Sequence, residues 1–240
     1  MRIAVVSDVH GNLVALEAVL ADLRKQGPDL VLHGGDLATA GPRPAEVVDR
    51  VRALGWPGVR GNTDEVPFGA ALESEVRAGA PKLSRWLDAV FGTLGPWSAE
   101  RLGVERQAWL RRLPIRLEER SLRLVHATPA SLWRAPMPDA SPAELDAAYA
   151  ELGGEVTVYG HIHRPFVTRL PDRVIANGGS AGLPWDGDAR AAYLLVDDGV
   201  PHVQRVAYDV VAAADDAREA GFPLAEWLGR VYVTGTFMTP

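Results

Sequence analysis

An apolar, β-branched run from Arg2 to Ser7 stops at Asp8 and Gly11, which suits a buried strand. Leu13, Leu16, Leu20 and Leu23 then recur at helical spacing until Gly27 and Pro28 break the pattern, and a second apolar run fills Asp29 to His33. A strand, a helix and a strand in immediate succession commit the N-terminal third to an α/β fold. Pro44 to Leu54 adds a second amphipathic helix, and a short strand around Val59 leads into Gly61-Asn62-Thr63-Asp64.

From about Val66 to Arg112 the pattern changes. Leu72, Val76, Leu83, Trp86, Leu87, Val90, Trp109 and Leu110 occur without strand-like alternation, and 66–112 reads as a helical insertion beside the functional site. Strand-like runs resume at Leu122 to Val125, Glu155 to Tyr159, Val167 to Leu170, Val174 to Ala176, Ala192 to Val196 and His202 to Tyr208. The tail, 209–240, reads as helical, anchored by Leu224, Trp227 and Leu228. No repeat or polar linker divides the 240 residues, so a single domain is expected, and 47% hydrophobic residues suffice for its core.

The formal charge of −6 argues against nonspecific binding to nucleic acid or an anionic membrane, both of which need a basic face. The apolar run before Asp8 is too short for a signal peptide or a membrane span, and a soluble, cytoplasmic protein is expected. With no cysteine, disulfides, thiol nucleophiles and cysteine-type zinc sites are excluded.

Polar residues of one kind follow the strand-like runs: Asp8 and His10 the first, Asp36 the second, Asn62 and Asp64 the third, His126 the Leu122 run, and His161 with His163 the Glu155 run. Ligands of α/β sheets bind beyond the carboxyl ends of strands, so these residues can converge on one crevice. Imidazole, carboxylate and amide together suit manganese, iron, cobalt, nickel or zinc. Gly11, Gly34, Gly35, Gly41, Gly61 and Gly160 flank these positions, where they either let the backbone come close or simply end strands. Each residue alone has a blander reading: aspartate and asparagine as turn or capping residues, the histidine pair as surface polar groups. His33, inside an apolar run, reads as a buried and hydrogen-bonded core residue, and His202 as a surface hairpin residue. Trp133 and Arg134 follow His126 closely enough to line a site, although an exposed loop arginine needs no explanation. Arg164 suits either a phosphate or a structural salt bridge.

Taken in order, DVHGN (8–12), GGDLATAG (34–41), GNTD (61–64), His126 and GHIH (160–163) resemble the motif series of the calcineurin-like metallophosphoesterases, across most of the chain. NGGSAGLPWDGDARAAYLLVD (177–197) resembles the compact bacterial phosphodiesterase-like branch, with Gly178 where an Asn-Pro-Gly-Ser turn has its proline. The resemblance implies a four-layer αββα sandwich of two mixed β-sheets flanked by helices. It also implies two divalent ions, Mn²⁺ favoured, one held by Asp8, His10, Asp36 and His163, the other by Asp36, Asn62, His126 and His161. The i, i+2 spacings fit, because in an extended segment such residues point the same way. Asp36, Asn62, Asp64 and His126 would be catalytic, and the reaction would be in-line attack on a small phosphate ester or nucleotide by a hydroxide that the ions share.

The sequence departs from the pattern at Thr63. Phosphatase members carry a histidine there that is thought to protonate the leaving oxygen, which threonine cannot do. A phosphodiesterase is therefore expected, with a phosphomonoesterase or dinucleoside polyphosphate hydrolase as one alternative and a catalytically silent binding scaffold as another. Asp64 is expected to orient a metal-held water or His126.

Overall fold

The structure, a computed structural model, describes residues 1–66 and 70–240; the side chains of 70–72, including Leu72 of the expected insertion, lie outside the described residues. In the first sheet β1 (Arg2–Val6) pairs in parallel with β2 (Leu30–His33) and antiparallel with β8 (Ala191–Asp197), and β9 (Val200–Val206) completes the order β2-β1-β8-β9. The second sheet contains β3 (Arg116–Glu119), β4 (Leu122–Val125), β5 (Val156–Tyr159), β6 (Phe166–Arg169) and β7 (Val174–Asn177) in the order β3-β4-β5-β7-β6. Its inner strands β4, β5 and β7 are parallel, and both edge strands are antiparallel.

Strand alternation sets the layers. Ile3 and Val5 of β1 join Leu122, Leu124, Val156 and Val158 in the core between the sheets. Ala4 and Val6 face outward, into a cluster with Leu16, Val19 and Leu20 of α1 (Leu13–Gln26) and Val47, Val48 and Val51 of α2 (Pro44–Leu54). Across the second sheet, Val125, Tyr159 and Ile175 pack with Leu145 and Tyr149 of α6 (Pro142–Tyr149). Helix, sheet, sheet and helix make the expected αββα sandwich.

Between the sheets' strands in sequence lie α3 (Ala70–Gly79), α4 (Ser84–Ala89) and α5 (Gly95–Arg112), with a π-helical turn at Val90–Leu94. Trp86, Leu87, Val90 and Leu94 share a core with Ala213 and Ala217 of α7 (Val210–Glu219) and Trp227, Leu228 and Tyr232 of α8 (Ala225–Thr234). Among the described residues no helix is long and apolar enough to cross a membrane.

Four local features differ from the sequence reading. The expected strand at Val59 is a single bridge between Gly58 and His33. Arg116–Glu119 forms an edge strand whose one apolar residue, Leu117, packs against the core between the sheets, and α6 starts at a capping box in which Ser141 and Glu144 bond reciprocally. His33 is fully buried, as expected, but neither ring nitrogen has a hydrogen-bond partner, and the ring lies 6.0 Å from that of Trp109.

Burial pushes the His33 imidazole down to about 4 from its ordinary 6.5. The unfolded chain therefore takes up this proton first as pH falls, so stability drops between the unfolded and folded values and levels off below the latter. Wild-type unfolding free energy should fall by about 2 kcal/mol from pH 7 to pH 5 on this account. Urea titrations of wild type and His33→Leu at both pH values check it; an equal acid loss in the variant would place the sensitivity elsewhere.

Candidate metal centre

The expected site residues follow the carboxyl ends of neighbouring strands: Asp8 and His10 after β1, Asp36 after β2, His126 after β4, His161 and His163 after β5. Asn62 and Asp64 sit in the turn beyond Gly58. The two sheets present these ends at one edge of the sandwich, where all the residues meet.

The backbone there is not extended, so the i, i+2 argument gives way to a different cause. Asp8, His10, Asp36, His161 and His163 have φ of 58°, 48°, 52°, 68° and 55°, five of the eight non-glycine residues with positive φ among the described residues. Left-handed geometry costs such residues on the order of 1 kcal/mol each and persists where surrounding structure enforces it. Here the loops after β1 and β2 are laced together by Asp8 N to Gly35 O (3.0 Å), His10 N to Asp36 O (2.9 Å) and Gly11 N to Leu37 O (2.8 Å). Glycine is needed beside the carboxylates: a Cβ on Gly61 would collide with Asp36 Oδ1, and one on Gly160 with Asp8 Oδ2.

Asp8, His10, Asp36 and His163 are buried, and one candidate ligand atom of each lies within 4.8 Å of the others. His10 Nδ1 is 2.6 Å from Thr39 O and His163 Nδ1 is 2.5 Å from Leu183 O. A carbonyl can only accept, so both Nδ1 atoms carry a proton and both rings turn Nε2 inward as the candidate ligand atom. Those Nε2 atoms are 3.1 Å apart, with Asp8 Oδ1 3.2 Å from His163 Nε2 and Asp36 Oδ2 3.6 Å from His10 Nε2. Two imidazole Nε2 atoms and two carboxylates that converge at such distances form a donor set that fits a divalent metal.

A second group adjoins the first. His126 Nδ1 donates to Gly34 O at 2.8 Å, which turns its Nε2 towards Asn62 Oδ1, also at 2.8 Å. His161 Nδ1 lies 2.8 Å from the same Asn62 oxygen, and Asp36 Oδ2 is 3.5 Å from His126 Nε2. One Asp36 oxygen thus stands close to a histidine of each group.

The electrostatics agree with a cation-seeking site. Burial raises the Asp8 carboxyl, but His163, then His126 and His10, outweigh it and hold the group below the usual carboxylate range. Burial lowers His126, while the Asp36 and Asp8 carboxylates overcome it and raise the ring. Burial dominates at His10, which is lowered, and at His161, brought down to about 4 with a contribution from His126. Among the described residues only histidines pair with Asp8 and Asp36.

Asp64 makes contacts other than those expected. Instead of His126, it accepts from the backbone N–H groups of Asp36 (2.9 Å), Leu37 (3.0 Å) and Gly61 (3.0 Å), clamping the turn that carries Asn62 to the loop that carries Asp36. Burial and the Asp36 charge push it up to about 6 against those donors. Thr63 is buried and lines the adjoining cavity; its N–H donates to Asp36 Oδ1 (2.8 Å), and its hydroxyl oxygen, itself buried, has no partner among the described residues.

That cavity, about 990 Å³, reaches from His10, Asp36, Asn62 and His161 past Trp133, Arg134 and Arg164 to the α3–α4 segment. Arg164 donates to Trp185 O at 3.2 Å and forms no salt bridge among the described residues, and His202 is exposed on β9. The sequence reading did not single out Trp185 for this place. Its indole stacks on His163 with centroids 3.7 Å apart and planes at 19°. The 177–183 turn also supports the site: Asn177 Nδ2 donates to Gly160 O (2.6 Å) and Ser180 Oγ to Asp8 O (2.6 Å).

Among proteins of known sequence, the chain is 29% identical to an uncharacterised protein of Methanocaldococcus jannaschii, over 95% of each chain. It is 26% identical to phosphodiesterase YfcE of Escherichia coli K12, covering 83% of this chain and 89% of YfcE. Among solved structures, a metallophosphoesterase from Sphaerobacter thermophilus superposes with a TM-score of 0.80 at 29% identity, over 98% of this chain and 100% of the other. Residues 1–199 match the calcineurin-like phosphoesterase superfamily domain, and the chain belongs to that superfamily.

Proposed function

We propose that the protein is a two-metal phosphodiesterase whose ions, Mn²⁺ favoured, are held by Asp8, His10, Asp36 and His163 and by Asp36, Asn62, His126 and His161. The observation that carries this reading is the position of Asp36, with Oδ2 3.6 Å from His10 Nε2 and 3.5 Å from His126 Nε2. Divalent ions supply Lewis acidity here, making water a nucleophile near neutral pH and offsetting charge on the phosphoryl oxygens. The protein's own part is preorganisation. Thr39, Leu183 and Gly34 carbonyls fix three imidazole tautomers, Asp64 holds Asp36 and Asn62 in register, and burial keeps His10 and His161 neutral. Residues 1–240 act as one domain in this reading, and the segment 66–112, which lines the cavity through Val76, Leu83, Trp86 and Leu87, limits substrate size.

Thr63 favours diesters. A threonine hydroxyl cannot deliver a proton to a basic alkoxide, a service worth about 10²–10⁴-fold. Diesters and esters with acidic leaving groups lose least from its absence. Chelator-stripped protein should hydrolyse bis(p-nitrophenyl) phosphate only when Mn²⁺ is restored, with kcat/KM about 10²-fold or more above that for an alkyl phosphomonoester. Turnover that ignores the chelator would remove the metal assignment, and equal efficiency on the monoester would remove the diester preference.

A further inference from the structure

The cavity beside the centre has two chemically different halves. One holds the imidazoles, Asp36 and Asn62; the other is walled by Trp86, Trp133, Trp185 and Phe237, with Leu83 and Met137 at its mouth. Leu83 and Met137 are each 42% exposed, large apolar side chains left in water on separate elements that face one opening. Trp133 is stacked on Phe91, centroids 5.8 Å apart and planes at 23°, and Phe91 does not line the cavity. The indole is therefore backed on the protein side and bare on the other.

Trp185 ties this wall to the chemistry. It lies 3.7 Å from the His163 ring and is held by Phe237 of the C-terminal tail, edge to face at 4.8 Å and 68°. Aromatic surface thus begins one ring's thickness from the proposed metal ligands, so a group esterified directly to the phosphate meets it with no spacer. At about 990 Å³ the space is that of a drug-sized ligand, far beyond the needs of phosphate alone. Arg134 and Arg164, both exposed and in no ion pair among the described residues, line it and complement an anion; Glu75 is an acidic lining residue besides Asp36.

We propose that the organic half of the substrate is a flat aromatic group that stacks on the open face of Trp133, beside Trp185, while its phosphate lies over Asp36 and Asn62. This rests on the phosphoesterase reading above. Ring faces favour a planar group over a flexible chain of equal carbon count, which gains burial without stacking and loses more rotamer freedom.

Non-hydrolysable phosphonates test this in Mn²⁺-loaded protein by calorimetry. Phenylphosphonate should bind about 10-fold more tightly than methylphosphonate and more tightly than n-hexylphosphonate, which has the same six carbons. The phenyl-to-methyl ratio, taken within one protein, should fall towards unity in Trp133→Ala and in Met137→Asp; the second change, at an exposed position, decides the matter if the first loosens the fold. A wild-type ratio near unity, hexyl binding as tight as phenyl, or an unchanged ratio in a folded variant overturns the assignment. Orthophosphate separates the two readings: if it binds and the phenyl gain is missing, only the aromatic chamber falls, and if neither it nor any phosphonate binds, the metal centre as a phosphate site falls as well.

Discussion

Asp36→Asn should abolish metal-dependent hydrolysis, lowering kcat/KM on bis(p-nitrophenyl) phosphate by about 10³-fold or more. Two consequences of the geometry combine. Asp36 Oδ2 stands 3.6 Å from His10 Nε2 and 3.5 Å from His126 Nε2, so one carboxylate serves both groups of ligands, and an amide brings no negative charge to either. Its other oxygen accepts the Thr63 N–H at 2.8 Å, so if the amide oxygen keeps that bond, the NH₂ faces inward, where a lone pair is needed. The loss should appear in kcat and in Mn²⁺ affinity together, with circular dichroism showing the fold retained. A variant keeping a tenth of wild-type turnover at saturating Mn²⁺ would mean that Asp36 does not join the two groups, and the two-metal reading would be lost.

How much of this site can be read from sequence follows from where it lies. β1 and β2 are covered on both faces, so their apolar runs end sharply, and the residues after them mark the carboxyl edge at which the sheets present their loops. Asp8, Asp36, His126 and the 161/163 pair are legible for that reason. The conformation that aims them is not. Positive φ leaves a weak trace, since aspartate and histidine both tolerate it, and an extended segment is the simpler reading of an i, i+2 pair.

Trp185 and Phe237 show a second limit. Each reads locally as an ordinary apolar residue, and the packing of Trp185 on His163 and of Phe237 on Trp185 depends on how the 177–190 loop and the C-terminal tail meet. The edge strand β3 escapes notice for a physical reason too: at a sheet margin, with alternate residues exposed, Arg-Leu-Glu-Glu needs only Leu117 against the core, too little to show as a pattern. α6 carried a legible start in Ser141-Pro142-Ala143-Glu144, but its apolar stripe is only Leu145 and Tyr149, too short to announce a helix by period.

Asp64→Asn should weaken Mn²⁺ binding by about 10- to 100-fold although Asp64 touches no proposed ligand atom. Its Oδ2 accepts from Asp36 N and Gly61 N, and its Oδ1 from Leu37 N. An asparagine oxygen can keep the first pair, but the NH₂ then faces the Leu37 N–H, leaving a buried donor opposed by a donor. The loop from Asp36 to Leu37 must shift to relieve this, and Asp36 shifts with it. The substitution also removes a buried carboxyl whose pKa burial and the Asp36 charge push up to about 6. Relief of that repulsion favours the fold, so metal-free stability should change less than metal affinity does. Quenching of Trp185, stacked 3.7 Å from His163, by titrated Mn²⁺ reports the affinity directly, and urea unfolding in chelator reports the stability. Unchanged quenching midpoints would show that the three backbone bonds fold the turn without aiming Asp36. Equal losses in both measurements would make Asp64 a stabilising residue alone.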